Sequence, residues 1–117
     1  MDSAPALDER IYQQLADAMP ASQLHQMYAM CMRDARDRIA TMRGLAAAHD
    51  QAQFIRQAHA VKGGCGMLGA TELYGMATRL ETSGLDAAGL GGAQGVNPLD
   101  ELAAACDRLE RILGARI

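Results

Sequence analysis

Tryptophan is absent, phenylalanine occurs once and tyrosine three times, so aromatic residues make up only 3% of the 117-residue chain. That leaves no platform of rings on which nucleic-acid bases could stack. The formal net charge of −3 likewise lacks the basic excess that a phosphate backbone attracts. Valine and isoleucine are sparse, which removes the usual material of β-strands. No apolar run approaches the roughly 18 residues of a membrane span. The opening MDSAPALDERIYQQ has neither the basic leader nor the apolar core of a targeting peptide. Cysteine occurs three times, an odd number without CxxC spacing. Cys31, Cys65 and Cys106 each fall on an apolar helical stripe, so reduced core thiols in a cytoplasmic protein are expected rather than a disulfide framework. His25, His49 and His59 share no three- or four-residue spacing, and no metal site is expected.

What the chain does have is alanine, leucine and eight methionines, good helix formers that supply much of its 50% hydrophobic content. Periodicity and punctuation predict five helices in one domain spanning 1–117. The first runs from about Leu7 to Met19, with Leu7, Ile11, Leu15 and Met19 on one side. Pro20 interrupts it, and Ser22 is expected to cap a second helix reaching Ala47. Leu24, Tyr28, Cys31, Ala35, Ile39, Met42 and Leu45 mark that helix's apolar stripe, and Arg33, Asp34, Arg36, Asp37 and Arg38 its solvated face. Asp50 caps a third helix to about Leu68. Gly69 ends it, and Thr71 is expected to cap a fourth reaching about Ser83. The stretch GLDAAGLGGAQGVN, from Gly84 to Asn97, lacks the Lys-Ser/Thr of a phosphate-binding loop and reads as a flexible connection. Asn97-Pro98 then opens the last helix, striped by Leu99, Leu102, Cys106, Leu109 and Leu113. Four such seams bury one another in an all-α, up-down antiparallel four-helix bundle with a short extra N-terminal helix.

The third helix departs from good helix design. Its stripe is Phe54, Ala58, Val61, Cys65 and Leu68, and His59 lies roughly 140° away on the helical wheel. Ile55, Lys62, Gly63 and Gly66 share the outward strip. Gly63, Gly64 and Gly66 in a helix interior each cost about 0.8–1 kcal/mol relative to alanine. Packing against a neighbouring helix accounts most easily for Gly64, but Gly63 and Gly66 point the other way. Bare backbone beneath an exposed histidine instead clears room for another molecule's surface. The chain has ten arginines and one lysine, Lys62, three residues after His59. Its ammonium is within reach of the space above the imidazole. There it disfavours protonation of the ring and stabilises an arriving anion. An imidazole, one cation and cleared space together suit the acceptance of a phosphoryl group.

The run AHAVKGGCGMLGA, Ala58 to Ala70, resembles the motif of histidine-containing phosphotransfer (HPt) domains. In that family the histidine is followed by lysine and glycine, then by further glycines, matched here by His59, Lys62, Gly63, Gly66 and Gly69. The likeness extends through Leu73 and Leu80-Glu81. It implies that His59 is phosphorylated by a receiver aspartate through Nε2. Lys62 would screen the phosphoryl group, Gly63 and Gly66 would permit close docking with Ile55 in the contact, and Glu81 would hold the other ring nitrogen. The partners implied are receiver domains of response regulators and hybrid sensor kinases, with no nucleic acid and no membrane. Gly64 is an extra glycine also found in the phosphoryl-accepting domain of chemotaxis-type kinases, so the donor is left open between receiver and kinase. No cofactor of its own is expected, and magnesium would come with the receiver. The domain would then be a monomeric phosphoryl carrier rather than an autonomous enzyme. The alternatives are a helical interaction module that handles no phosphate and, more remotely, a hydrolase using His59 as general base.

Overall fold

The computed structural model describes residues 4–87 and 97–116, and most of its helices begin where a side chain satisfies the free amides of a helix start. The elements are α1 (Glu9–Ala18), α2 (Ala21–Ala47), α3 (Gln51–Met67), α4 (Thr71–Ala87) and α5 (Pro98–Gly114). Asp8 accepts from the amides of Arg10 and Ile11, Asp50 from Gln53, and Asn97 from Leu99 with Pro98 in the first helical position. Two expected caps are corrected. Pro20, not Ser22, precedes α2, and no side chain caps that end. Thr71 is the first residue of α4 and turns its hydroxyl back to the Gly69 carbonyl at 3.2 Å, while Ala70 supplies the carbonyl for the first α4 turn.

Helices α2 and α3 end in the same way. The residue after each cap adopts positive φ, His49 at 58° and Gly69 at 75°. The following amide then reaches back to a carbonyl of the last turn, Asp50 to Leu45 and Ala70 to Cys65. Helix α4 outruns the expected stop at Ser83, but its helical geometry breaks at Gly84, with φ 60° and ψ −150°. Only glycine adopts that conformation readily. The Gln51 carboxamide oxygen accepts from the Leu85 amide just beyond the break. Residues 88–96 of the expected flexible connection lie outside the described residues.

Helices α2 to α5 close a ring, α2 against α3, α3 against α4, α4 against α5, and α5 back against α2. Cross-helix contacts set their directions. Tyr28 of α2 reaches Leu68, while Arg38 further along reaches Gln57. Arg36 pairs with Asp107 and Glu110, and Arg43 with the earlier Asp100. Rising numbers on one helix meet falling numbers on the next, so neighbours run antiparallel. Among the described residues the core is apolar throughout, and Phe54, Ala58, Val61 and Cys65 of α3 share one buried cluster with Leu24, Tyr28, Met32 and Ala35 of α2. Met32 takes the buried place expected of Cys31, which lies half-buried with Leu45. Burial pushes the Cys106 thiol up to about 11, so it packs as a protonated apolar group.

Helix α1 sits against the end of the bundle where α3 turns into α4. The Asp8 amide bonds the Gly69 carbonyl at 2.7 Å, and Arg116 clamps Glu9 through two bonds while its guanidinium lies 4.7 Å from the Tyr12 ring centre. The buried Tyr28 hydroxyl donates to the Leu68 carbonyl at 2.7 Å, satisfying an acceptor at the end of α3. Burial is also the main cause that pushes this phenol up to about 12. Tyr28→Phe leaves that carbonyl without its partner and is expected to lower stability by about 1–3 kcal/mol, read as a lower midpoint in urea with an unchanged slope.

Candidate functional site

Helix α3 turns its apolar stripe to the core and leaves His59 on the outside, with 65% of its side chain exposed. The antiparallel register of α3 and α4 brings Glu81, next to core residue Leu80, alongside it. One carboxylate then serves two partners. Its Oε2 lies 2.6 Å from His59 Nδ1, and its Oε1 lies 2.7 Å from Lys62 Nζ. Lys62 first, and His59 second, hold the Glu81 carboxyl below its usual range. An ionised carboxylate can only accept, so the proton of that short bond belongs to Nδ1. The neutral ring therefore carries its lone pair on Nε2, which has no hydrogen-bond partner among the described residues. Glu81 settles which imidazole nitrogen keeps a free lone pair and which is tied down.

Lys62 is placed differently from expectation. Its ammonium does not stand alone over the ring but pairs with Glu81, which raises the lysine's own affinity for its proton. The cation thus reaches the imidazole through a shared carboxylate. Helical neighbours at i and i+3 both point toward α4 here, and one acid between them relieves the repulsion that a bare ammonium and a protonated ring would have.

The glycines divide into two kinds, and not as the helical wheel suggests. A Cβ added at Gly63 meets nothing within 4 Å, in keeping with the expected clearance beside His59. Gly64 is exposed and equally free of neighbours, so helix packing does not account for it. Gly66 does have a packing reason, because a Cβ there would come within 3.1 Å of the Tyr74 ring. Its missing side chain makes room for α4. Ile55, the other residue of the expected strip, is half-buried, and its Cδ1 lies beside Gly84 at the break in α4.

Sequence reasoning passed over Met67 and Tyr74. Both are exposed, and with Ile11 they line a groove of roughly 570 Å³ that begins at Lys62 and Gly63. Met67 stands between Gly66 and Gly69 without being one of the pattern's own residues, and Tyr74 becomes significant only when α4 folds against Gly66. Among the described residues no cluster of three or more histidine, cysteine or acidic side chains could hold a metal ion, and no helix is long and apolar enough to cross a membrane.

The lowered Glu81 carboxyl fixes the sign of a pH effect. The folded chain holds fewer protons on this group than the unfolded chain, so the bridge adds stability above the ordinary carboxylate range and loses it as pH falls through the depressed value. Exposure keeps the effect small. The melting-temperature gap between the wild-type chain and Glu81→Gln is expected to be widest near neutral pH and to close in acid. A gap that widened in acid would contradict the ionised bridge.

Residues 26–112 match the family model for the Hpt domain. The fold is similar to the crystal structure of histidine-containing phosphotransfer protein B (HptB) from Pseudomonas aeruginosa PAO1, with a TM-score of 0.63 and 26% identity over 97% of this chain and 89% of that one. No match is found among curated proteins. The all-helical bundle, the paired imidazole on α3 and the family match agree: the chain belongs to the Hpt domain family, whose members transfer phosphoryl groups through histidine in two-component signalling.

Proposed function

We propose that His59 is the phosphoacceptor of a relay, taking a phosphoryl group from the aspartyl phosphate of one receiver domain and passing it to the aspartate of another. The observation that carries this is an exposed imidazole with Nδ1 tied to Glu81 and Nε2 left open. Nε2 attacks phosphorus in line, the N–P bond forms, and the P–O bond to the acyl oxygen breaks with its electron pair leaving on the donor carboxylate. The ring gains positive charge as it does so, and the Glu81 carboxylate stabilises that charge through the Nδ1 proton. Lys62, held at the same carboxylate, offers its remaining N–H donors to the phosphoryl oxygens. The return transfer reverses these steps on a second receiver. Magnesium belongs to the receiver's carboxylates, and the chain acts as a cytoplasmic, monomeric carrier.

Incubation with a receiver domain carrying radiolabelled aspartyl phosphate tests this. The expected label is stable in alkali, labile in acid, and maps to the peptide containing His59. A chain that binds such a receiver but never takes up label would instead be an interaction module.

A further inference from the structure

We infer that Cys31 of α2 and Cys65 of α3 form a reversible thiol–disulfide site, in which a small hydroperoxide oxidises the pair and Cys31 is the sulfur that reacts first. The register of the two helices places them together. Tyr28 of α2 bonds the Leu68 carbonyl, and Arg38 meets Gln57 further along. Three residues on from Tyr28 along α2, and three back from Leu68 along the antiparallel α3, stand Cys31 and Cys65. Three residues make nearly one helical turn, so both thiols lie one step along the same seam. Their side chains meet there in a hydrogen bond.

The two sulfurs differ in a way that orders the chemistry. Cys65 is 1% exposed, whereas Cys31 is half-buried at the edge of the core. The Cys65 thiol donates to the Cys31 sulfur, and this bond holds Cys31 below the ordinary thiol range, against burial and the nearby Asp34 carboxylate. The same bond, together with burial, keeps the proton on Cys65. The more accessible sulfur is therefore the one with thiolate character, as a reactive cysteine needs. Gly64 finds a place here. It lies seven residues after Gln57, hence on the side of α3 nearest the α2 edge, and it is exposed with nothing within 4 Å of an added Cβ. The seam beside Cys31 stays uncovered at that position.

Closing the disulfide requires the sulfurs to draw in to about 2.05 Å. Gly63, Gly64 and Gly66 flank Cys65, and backbone without Cβ atoms yields to that movement more readily than an ordinary helix. Cys106 is a poor competitor. It lies on α5, which packs against α2 and α4, and burial pushes its thiol up to about 11.

In the first step the Cys31 thiolate attacks a peroxide oxygen. The S–O bond forms, the O–O bond breaks, and the departing oxygen leaves with the electron pair and takes the proton that Cys31 gave up. Cys31 is then a sulfenic acid. The Cys65 sulfur attacks it, the S–S bond forms, the S–O bond breaks, and hydroxide leaves with the Cys65 proton as water. The two thiols lose two electrons, and hydrogen peroxide is reduced to two waters.

The reduced chain treated with hydrogen peroxide near neutral pH is expected to fall from three free thiols to one, counted after unfolding, and to regain three with dithiothreitol. No phosphodonor is involved, so the outcome is independent of the role of His59. Thiols are counted in place of intact mass because the exposed Met30 and Met67 take up oxygen themselves. Tryptic mapping should join the peptide of Cys31 to that of Cys65 within a single chain. Cys31→Ser should lose its remaining thiols at least about tenfold more slowly than the wild-type chain loses its pair. Cys65→Ser should hold Cys31 as a sulfenic acid that dimedone traps, and Cys106→Ser should oxidise as the wild-type chain does. Three thiols that survive a peroxide dose sufficient to oxidise Met30 would leave the pair as core packing and overturn the proposal. A bridge that includes Cys106, a bridge between two chains, or a thiol loss that dithiothreitol does not reverse overturns it as well. Equal thiol loss in Cys31→Ser and the wild-type chain would remove Cys31 as the first sulfur to react.

Discussion

His59→Gln is expected to take up no label from a phosphorylated receiver, a fall to background while the fold and receiver binding persist. The position is 65% exposed, so the substitution falls among surface changes that move stability by about 0.5 kcal/mol or less. Glutamine can still donate an N–H to Glu81, which keeps the carboxylate and Lys62 partnered. It has no basic nitrogen, because its amide lone pair is delocalised into the carbonyl. The attack on phosphorus therefore loses its nucleophile and little else. Removing a nucleophile is not compensated by the groups around it, since those groups act only on a bond that is forming. His25→Gln and His49→Gln should label as the wild-type chain does. His25 lines a small cavity between α2 and α5, and His49 turns the chain between α2 and α3. Label persisting on His59→Gln would move the acceptor elsewhere.

Gly63→Leu should separate stability from function in opposite directions. Gly63 is exposed and an added Cβ meets nothing within 4 Å, so a side chain can leave the helix there without a clash at its first atom. Replacing an interior helical glycine by a good helix former is worth about 0.8–1 kcal/mol, and the variant should unfold later than the wild-type chain. The same side chain projects into the space that a docking receiver must enter. Holding the reacting atoms even about 1 Å out of place costs on the order of 10²-fold in rate, and that is the loss expected for transfer from a receiver. Gly64→Ala is the comparison. It too faces open space and should gain similar stability, but it lies roughly 140° from His59 around the helix and should transfer normally. If Gly63→Leu transfers as fast as Gly64→Ala, bare backbone beside the histidine has no part in docking.

The family match and the structure bear out the all-helical class and the family resemblance drawn from Ala58–Ala70 and Leu80-Glu81. Asp50, Gly69 and Asn97-Pro98 were legible because helix ends are local problems, solved by residues within a few positions of the break. Ser22 and Thr71 misled because a hydroxyl near a helix start is only one way to supply an acceptor. A proline carbonyl or a returning backbone bond removes the need for it. Cys31 and Met32 were exchanged on the stripe of α2 because adjacent positions differ by only about 100° around a helix, and the neighbouring helix decides which is covered.

By itself the sequence determined the number of helices, their apolar faces, and the collection of His59, Lys62 and Gly63 on one outward strip. All of these follow from spacing along a single helix, which repeats every 3.6 residues whatever surrounds it. Tertiary structure alone decided what those residues meet. Glu81 acquired both His59 and Lys62, Gly66 acquired Tyr74, and Gly64 acquired no neighbour, because each outcome depends on the register and approach of α3 against α4. No periodicity within one helix contains that information, since register is set by how two complete side-chain surfaces interlock.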